Sequence, residues 1–321
     1  MAGNIPGFVH TYDGQEAVGV GVCFHLSDDD IIGSTHRGHG HCIAKGCDIE
    51  LMILEIMGKA EGLCKGKGGS MHIADIDKGM IGANAIVGGG PPLCNGAALS
   101  MKTLGKPHVA VSFSGDGSSN QGTVMESLNL AGVLDLPHFF VFENNHLAEG
   151  TGDEYAVAGD IAERVRVFGI PCDKVDGTDF FAVYEAAKKA IKHCRSGKGP
   201  YGIEADVLRF DGHFIGAPQA YRGEGELDDL RANRDCLKIY RERVTGEGWM
   251  DTSALDKLDE DAAAAIEKGV QRSSTMPVNF AERCWHRHAR MNLVTRNLPV
   301  ITTTDKVHQV AHINIDHAAI V

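Results

Sequence analysis

Apolar and polar positions are most clearly patterned over residues 109–151. Two short β-rich apolar runs, 109–113 and 139–142, flank a segment in which Val124, Leu128, Leu130, Ala131 and Leu134 recur at helical spacing. That is strand, turn, helix, strand: a βαβ unit whose strands run parallel. The same reading starts a helix at Glu16, sets a strand over 29–33, and runs a helix behind an Asp48 cap through Ile49, Met52, Ile56 and Met57. It then gives helices over 92–102 and 161–168 and a strand over 170–175. Thr178 is the expected cap of a helix to 193 with Phe181, Tyr184, Ala187 and Ile191 on one stripe, and a strand follows over 201–208. A charged helix over 224–243, with Leu227, Leu230, Leu237 and Tyr240 inward, precedes a last helix that Thr252 or Ser253 caps, carrying Leu255, Leu258 and Ile266. Strands alternating with helices predict an α/β fold, a mostly parallel sheet with helices on both faces.

Charge and cysteine usage narrow the function classes. The 31 Lys and Arg face 43 Asp and Glu, a net charge of −12, which argues against nucleic acid or an anionic membrane as partner. No apolar run reaches the roughly 20 residues of a membrane-spanning helix. The start, MAGNIPGFVH, reads as neither a basic nor an apolar leader, so no signal peptide is expected. The 9 scattered cysteines include no C-x-x-C pair and suit a reducing cytoplasm better than a disulfide scaffold. Glycine, at 40 of 321 residues, clusters in loops, a sign of tight turns around a ligand.

The chemistry gathers where the two strands of the central unit end. The first ends in Gly115-Asp116-Gly117 and the second in Glu143-Asn144-Asn145, with 29 residues between Asp116 and Asn145. In a parallel unit both clusters emerge at the carboxyl edge, where open α/β sheets bind ligands. A carboxylate and an amide oxygen suit a hard cation such as Mg²⁺. The glycines admit close approach, and Ser118 lies at the free amino end of the next helix, which favours a phosphate. Together they make a cradle for a metal diphosphate. The dinucleotide fingerprint G-x-G-x-x-G would need glycine at Asn120, and no Walker lysine is in register, so a nicotinamide-binding Rossmann enzyme is disfavoured. Earlier, STHRGHGH holds three histidines and an arginine among glycines. It reads as a metal tract or an anion site, and Arg37, able to bind a diphosphate bidentately, favours the second. Residues 62–72, GLCKGKGGSMH, read equally as a phosphate loop or a solvated turn.

GDG followed about thirty residues later by NN resembles the thiamine diphosphate motif of transketolases and 2-oxoacid dehydrogenases. GDGSSNQGTVMESLNLAGVLDLP…ENN is similar to the α subunit of the E1 component of 2-oxoacid dehydrogenase complexes, from about residue 5 to 268. STHRGHGHCIAKG, GLCKGKGGSMHIAD and GANAIVGGGPPL are most similar to acetoin dehydrogenase α subunits, with pyruvate dehydrogenase α subunits near relatives. The resemblance implies a thiamine diphosphate-binding fold over 1–272, with an atypical tail over 273–321 that holds five histidines, at 286, 288, 308, 312 and 317. The family carries a further helix before residue 1 that is not read here. It implies Mg²⁺ held by Asp116, Asn145 and the Leu147 carbonyl. It places the diphosphate against His36, Arg37 and His213, where His36 replaces the family's aromatic residue. It sets the aminopyrimidine ring on the backbone of Ala85 and Val87. His10 and His213 would then move protons, with His39 near the substrate. Alone, His10 would read as a structural histidine. A regulatory serine follows the family's counterpart of His213; Phe214 stands there, so phosphorylation control is not expected at that position. Ala217 replaces an aspartate that often precedes the loop's proline.

The implied activity is cleavage of a small ketone, acetoin, releasing acetaldehyde and passing a two-carbon unit to a lipoyl-bearing E2 acyltransferase. It requires a separate E1 β subunit in an α₂β₂ heterotetramer, since that chain supplies the glutamate that activates the cofactor. A pyruvate or branched-chain 2-oxoacid dehydrogenase α subunit is the alternative enzyme. A non-catalytic truncated paralogue serving assembly is the alternative of another class.

Overall fold

A computed structural model describes residues 5–277 of the chain. In order, the elements are α1 (Glu16–Cys23), β1 (Ile31–Gly33), α2 (His39–Ala44), α3 (Ile49–Ile56), β2 (Met80–Gly82), α4 (Gly90–Thr103), β3 (Ala110–Gly115), α5 (Gly122–Val133) and β4 (His138–Asn144). There follow β5 (Leu147–Ala148), β6 (Thr151–Gly152), α6 (Asp153–Ala156), α7 (Ile161–Val167), β7 (Cys172–Asp176), α8 (Phe180–Arg195) and β8 (Tyr201–Asp206). Three helices close the described part: α9 (Glu226–Arg234), α10 (Cys236–Gly246) and α11 (Thr252–Ser274).

Six strands form one parallel sheet in the order β2-β1-β3-β4-β8-β7, and β5 and β6 make a separate antiparallel hairpin. The two central strands are apolar on both sides because helices cover both sides. Val111, Phe113, Phe139 and Val141 pack with residues of α1, α2, α3 and α8, while Ala110, Phe140 and Phe142 pack with residues of α4, α5 and α7. This is the expected α/β arrangement. Registry pairs Gly115 with Glu143, which puts the two polar clusters side by side at the carboxyl edge.

Several local expectations are corrected. Leu130 and Leu134 of the central helix are 44% and 36% exposed. Val124, Leu128 and Ala131 already take the buried stripe, and a residue two beyond Leu128 lies on the opposite side. Asp179, not Thr178, caps α8 by accepting from the Phe181 and Ala182 N–H groups; the Thr178 hydroxyl donates instead to Asp176 at 2.7 Å. The charged helix is two helices. Asp235 breaks it and caps α10 through the Leu237 and Lys238 N–H groups, leaving Leu237 exposed. Asp251 caps α11, and Leu258 and Ile266 are exposed because that helix seats on α3 through a narrow stripe including Gly269, where a Cβ would lie 3.0 Å from Ile53. No helix among the described residues is long and apolar enough to cross a membrane. Of the tail over 273–321, the first two residues belong to α11, and residues 278–321, with the five histidines, lie outside the described residues.

Candidate active site

β1 and β3 are neighbours, yet the helices that follow them pack on opposite faces of the sheet. Their carboxyl ends therefore frame an open crevice. Asp116 lies on one side of it and the loop carrying His36 and Arg37 on the other.

Asp116 directly follows β3 and is 2% exposed. Its Oδ2 has no hydrogen-bond partner among the described residues. Burial, with Asp153 nearby, pushes its carboxyl up to about 6. A buried carboxylate in this condition gains most from a cation. Gly117 is required: a Cβ there would come 2.8 Å from the Ala148 side chain. The Ser118 hydroxyl donates to the Gly115 carbonyl at 2.7 Å, which tightens the turn. Across from it, Asn145 is nearly buried, and its Oδ1 accepts from the Leu147 N–H at 3.2 Å. Asn144 is used structurally, accepting from the His146 N–H at 3.0 Å and donating to Glu204 at 3.1 Å. The His146 ring bridges Asp206 at 2.9 Å and Asp153 at 2.6 Å, and these bonds, Asp206 first, raise it to about 9. The Leu147 carbonyl faces Arg209 Nη1 at 3.4 Å.

Arg37, also buried, anchors the other side. It donates to the Thr11 carbonyl at 3.0 Å and to the His213 carbonyl at 2.8 Å. Burial, then Arg209, lowers it to about 10, so it stays cationic at neutral pH. His10, His36 and His213 converge beside it, with ring centroids 4.6, 4.9 and 5.4 Å apart in the three pairs. Burial first, then the nearby arginines and, at His10 and His36, the neighbouring imidazoles as well, hold them at about 3, about 2 and about 4. All three are neutral imidazoles at neutral pH, and His10 Nδ1 and His36 Nε2 are buried without partners among the described residues. His39 opens α2, and its Nε2 meets the Ser70 carbonyl at 3.1 Å. Ala85 and Val87 lie in the loop between β2 and α4, with Val87 47% exposed.

Beneath the site lies a network that sequence reasoning missed. The Tyr12 hydroxyl donates to Glu143, His41 Nε2 donates to the same carboxylate at 3.0 Å, and His41 Nδ1 accepts from Ser34 at 2.8 Å. All four residues are buried. Burial and then Glu143 push the Tyr12 phenol upward, so it remains a donor. The available signal was Glu143 itself, since an acid in a doubly covered strand must find donors.

The family model described as "Dehydrogenase E1 component" matches residues 1–282. The chain belongs to the dehydrogenase E1 component family. It is 56% identical to the alpha subunit of acetoin:2,6-dichlorophenolindophenol oxidoreductase of Cupriavidus necator, over 86% of this chain and 83% of that one. Identity to the Bacillus subtilis protein of the same name is 51%, covering 86% and 82%. It is 40% to the pyruvate dehydrogenase E1 component subunit alpha of Rhizobium meliloti, covering 86% and 79%.

The family implies thiamine diphosphate, and the residues present fit it. Thiamine diphosphate is an anion, and the crevice offers it a buried cationic guanidinium, with a buried carboxyl group nearby whose Oδ2 has no partner among the described residues. The sequence-derived residues thus divide into two groups. Asp116 and Asn145 directly follow β3 and β4, with Leu147 opening β5, and Arg37, His10, His36 and His213 gather from the loops after β1 and β8 and the segment before α1. Arg209 was also missed. It is fully buried, donating to the Glu149 carbonyl at 2.6 Å and to the Tyr221 hydroxyl at 2.5 Å, and so ties the loop after β8 to the 147–152 hairpin.

Proposed function

We propose that this chain is the α subunit of a thiamine diphosphate-dependent E1 enzyme whose substrate is acetoin. When bound, the cofactor supplies the carbon nucleophile and electron sink for cleaving the bond beside the ketone. Asp116 and Asn145, with the Leu147 carbonyl, would hold Mg²⁺, while Arg37, His36 and His213, together with Gly115, Gly117 and Ser118, would hold the diphosphate. The backbone of Ala85 and Val87 takes the aminopyrimidine. His10 and His213, kept neutral by burial, accept and return protons and donate to developing oxyanion charge. His39 faces the substrate.

The observation that carries the substrate is the 56% and 51% identity to two subunits whose names specify acetoin, against 40% to one named for pyruvate. A β subunit completes the site in an α₂β₂ assembly. Glu143 is engaged by Tyr12 and His41, and Asp116 is assigned to the cation, which supports an activating glutamate supplied by that chain. A lipoyl-bearing E2 acyltransferase receives the two-carbon product, in the cytoplasm.

The test is dye reduction by the α–β complex with acetoin and with pyruvate, using 2,6-dichlorophenolindophenol as acceptor. Higher kcat/KM for acetoin is expected. Higher kcat/KM for pyruvate overturns the substrate, and full turnover by the α chain alone overturns the assembly.

A further inference from the structure

The loop over 62–72 is rich in lysine and glycine, a composition that suits an anion nest. Its amides are already committed to an anion of the chain's own. The Cys64 and Gly66 N–H groups donate to Glu55 Oε2 at 2.8 and 2.7 Å. Those of Gly68 and Gly69 donate to Oε1 at 2.7 and 3.1 Å. Glu55 is 0% exposed, at the end of α3, so its carboxylate has exchanged water for four backbone donors. The wrapping is tight. A Cβ at Gly62 would sit 2.5 Å from the Glu55 Cα, and one at Gly68 would sit 2.2 Å from the His72 carbonyl oxygen. The loop is therefore neither a phosphate loop nor a loose turn.

What the clamp holds in place is Ser70. Ser70 is buried, and its carbonyl and hydroxyl oxygens lie 3.1 and 3.0 Å from His39 Nε2. A carbonyl can only accept, so Nε2 carries the proton and Nδ1 is the lone-pair nitrogen. His39 belongs electrostatically to the histidine cluster. Burial, then Arg37 against the Ser70 bond, lowers its pKa, and His39 in turn helps depress His10.

We propose that Glu55 is a positioning residue of the active site. By clamping residues 62–72 it fixes Ser70, and through Ser70 the tautomer and orientation of His39, whose Nδ1 then accepts a hydrogen bond from a substrate hydroxyl. This rests on the ketone-cleaving reading above.

The experiment uses the assembled α–β complex. Glu55→Gln keeps the size but turns one acceptor into an NH₂ group that faces N–H donors. Amide hydrogen exchange over residues 64–69 should then accelerate by about tenfold or more. The kcat/KM for acetoin should fall by about 10–100-fold, since small misplacements at a reacting centre have that effect. Thiamine diphosphate affinity should stay within about twofold, because Asp116 and Arg37 are untouched. In a His39→Ala background the same substitution should reduce kcat/KM by less than about twofold further. If Glu55→Gln fails to assemble, Glu55→Asp, a shorter carboxylate that keeps its charge, is read in the same assays. Fully additive losses in the double variant overturn the proposal, as does accelerated loop exchange with unchanged kcat/KM. A wild-type complex with no ketone turnover refutes the functional reading instead, and loop exchange still decides the clamp.

Discussion

Arg37 donates to the main-chain oxygen of His213 at 2.8 Å, and that bond joins loops following β1 and β8, strands separated in the sheet by β3 and β4. With its second bond, to Thr11, the same guanidinium gathers the segments that carry His10, His36 and His213. A charged donor of fixed planar geometry is needed to reach two carbonyls at once.

Arg37→Lys keeps the charge and loses the fork. Thiamine diphosphate affinity of the α–β complex is expected to fall by about tenfold or more, the size of one charge-assisted hydrogen bond. Calorimetric titration checks this, and unchanged affinity would show that charge alone suffices.

Tyr12→Phe removes the hydroxyl that Glu143 accepts while leaving the His41 bond. A buried carboxylate that loses a donor is expected to lower stability by about 1–3 kcal/mol. Urea denaturation of the variant complex measures it. The loss should be accompanied by faster exchange at residues 8–12, since Tyr12 anchors the segment bearing His10.

Low pH should act through the histidine cluster. His10, His36 and His213 have folded values of about 3, about 2 and about 4, against an ordinary 6.5. The unfolded chain takes up protons on these rings as pH falls below 6.5, and the folded chain resists until its own lower values are reached. Stability therefore declines on acidification through that window and is insensitive to these groups above it. Each ring contributes at most about 1.4 kcal/mol per pH unit. His36→Phe should make the cofactor-free complex lose less stability between pH 7 and pH 5 than the wild type, in urea midpoints. An equal loss would show that the ring is protonated in the folded state.

The fold was legible because its strongest signal is local: β-rich runs around a helical stripe give the βαβ unit, and Asp116 and Asn145 follow directly at its strand ends. The caps were misplaced by one or two residues, since Thr178 and Asp179, or Asp251 and Thr252, are chemically near-equivalent and only backbone geometry chooses between them. Partnerships between distant residues were not legible. Tyr12 and Glu143 are 131 residues apart, and nothing in either local pattern announces the other. Glu55 was hidden for a different reason. It sits in a mostly apolar helix, and its donors are backbone groups whose direction no side-chain pattern records.

The central claim is that Asp116 and Arg37 face one another across a thiamine diphosphate site. Its most direct test is calorimetric titration of thiamine diphosphate with Mg²⁺ into this chain assembled with its β partner, beside Asp116→Ala. The account predicts tight, Mg²⁺-dependent binding that the substitution abolishes while assembly persists. Absence of binding in a well-assembled wild-type complex, or equal binding by Asp116→Ala, would contradict it and leave the chain as a non-catalytic assembly partner.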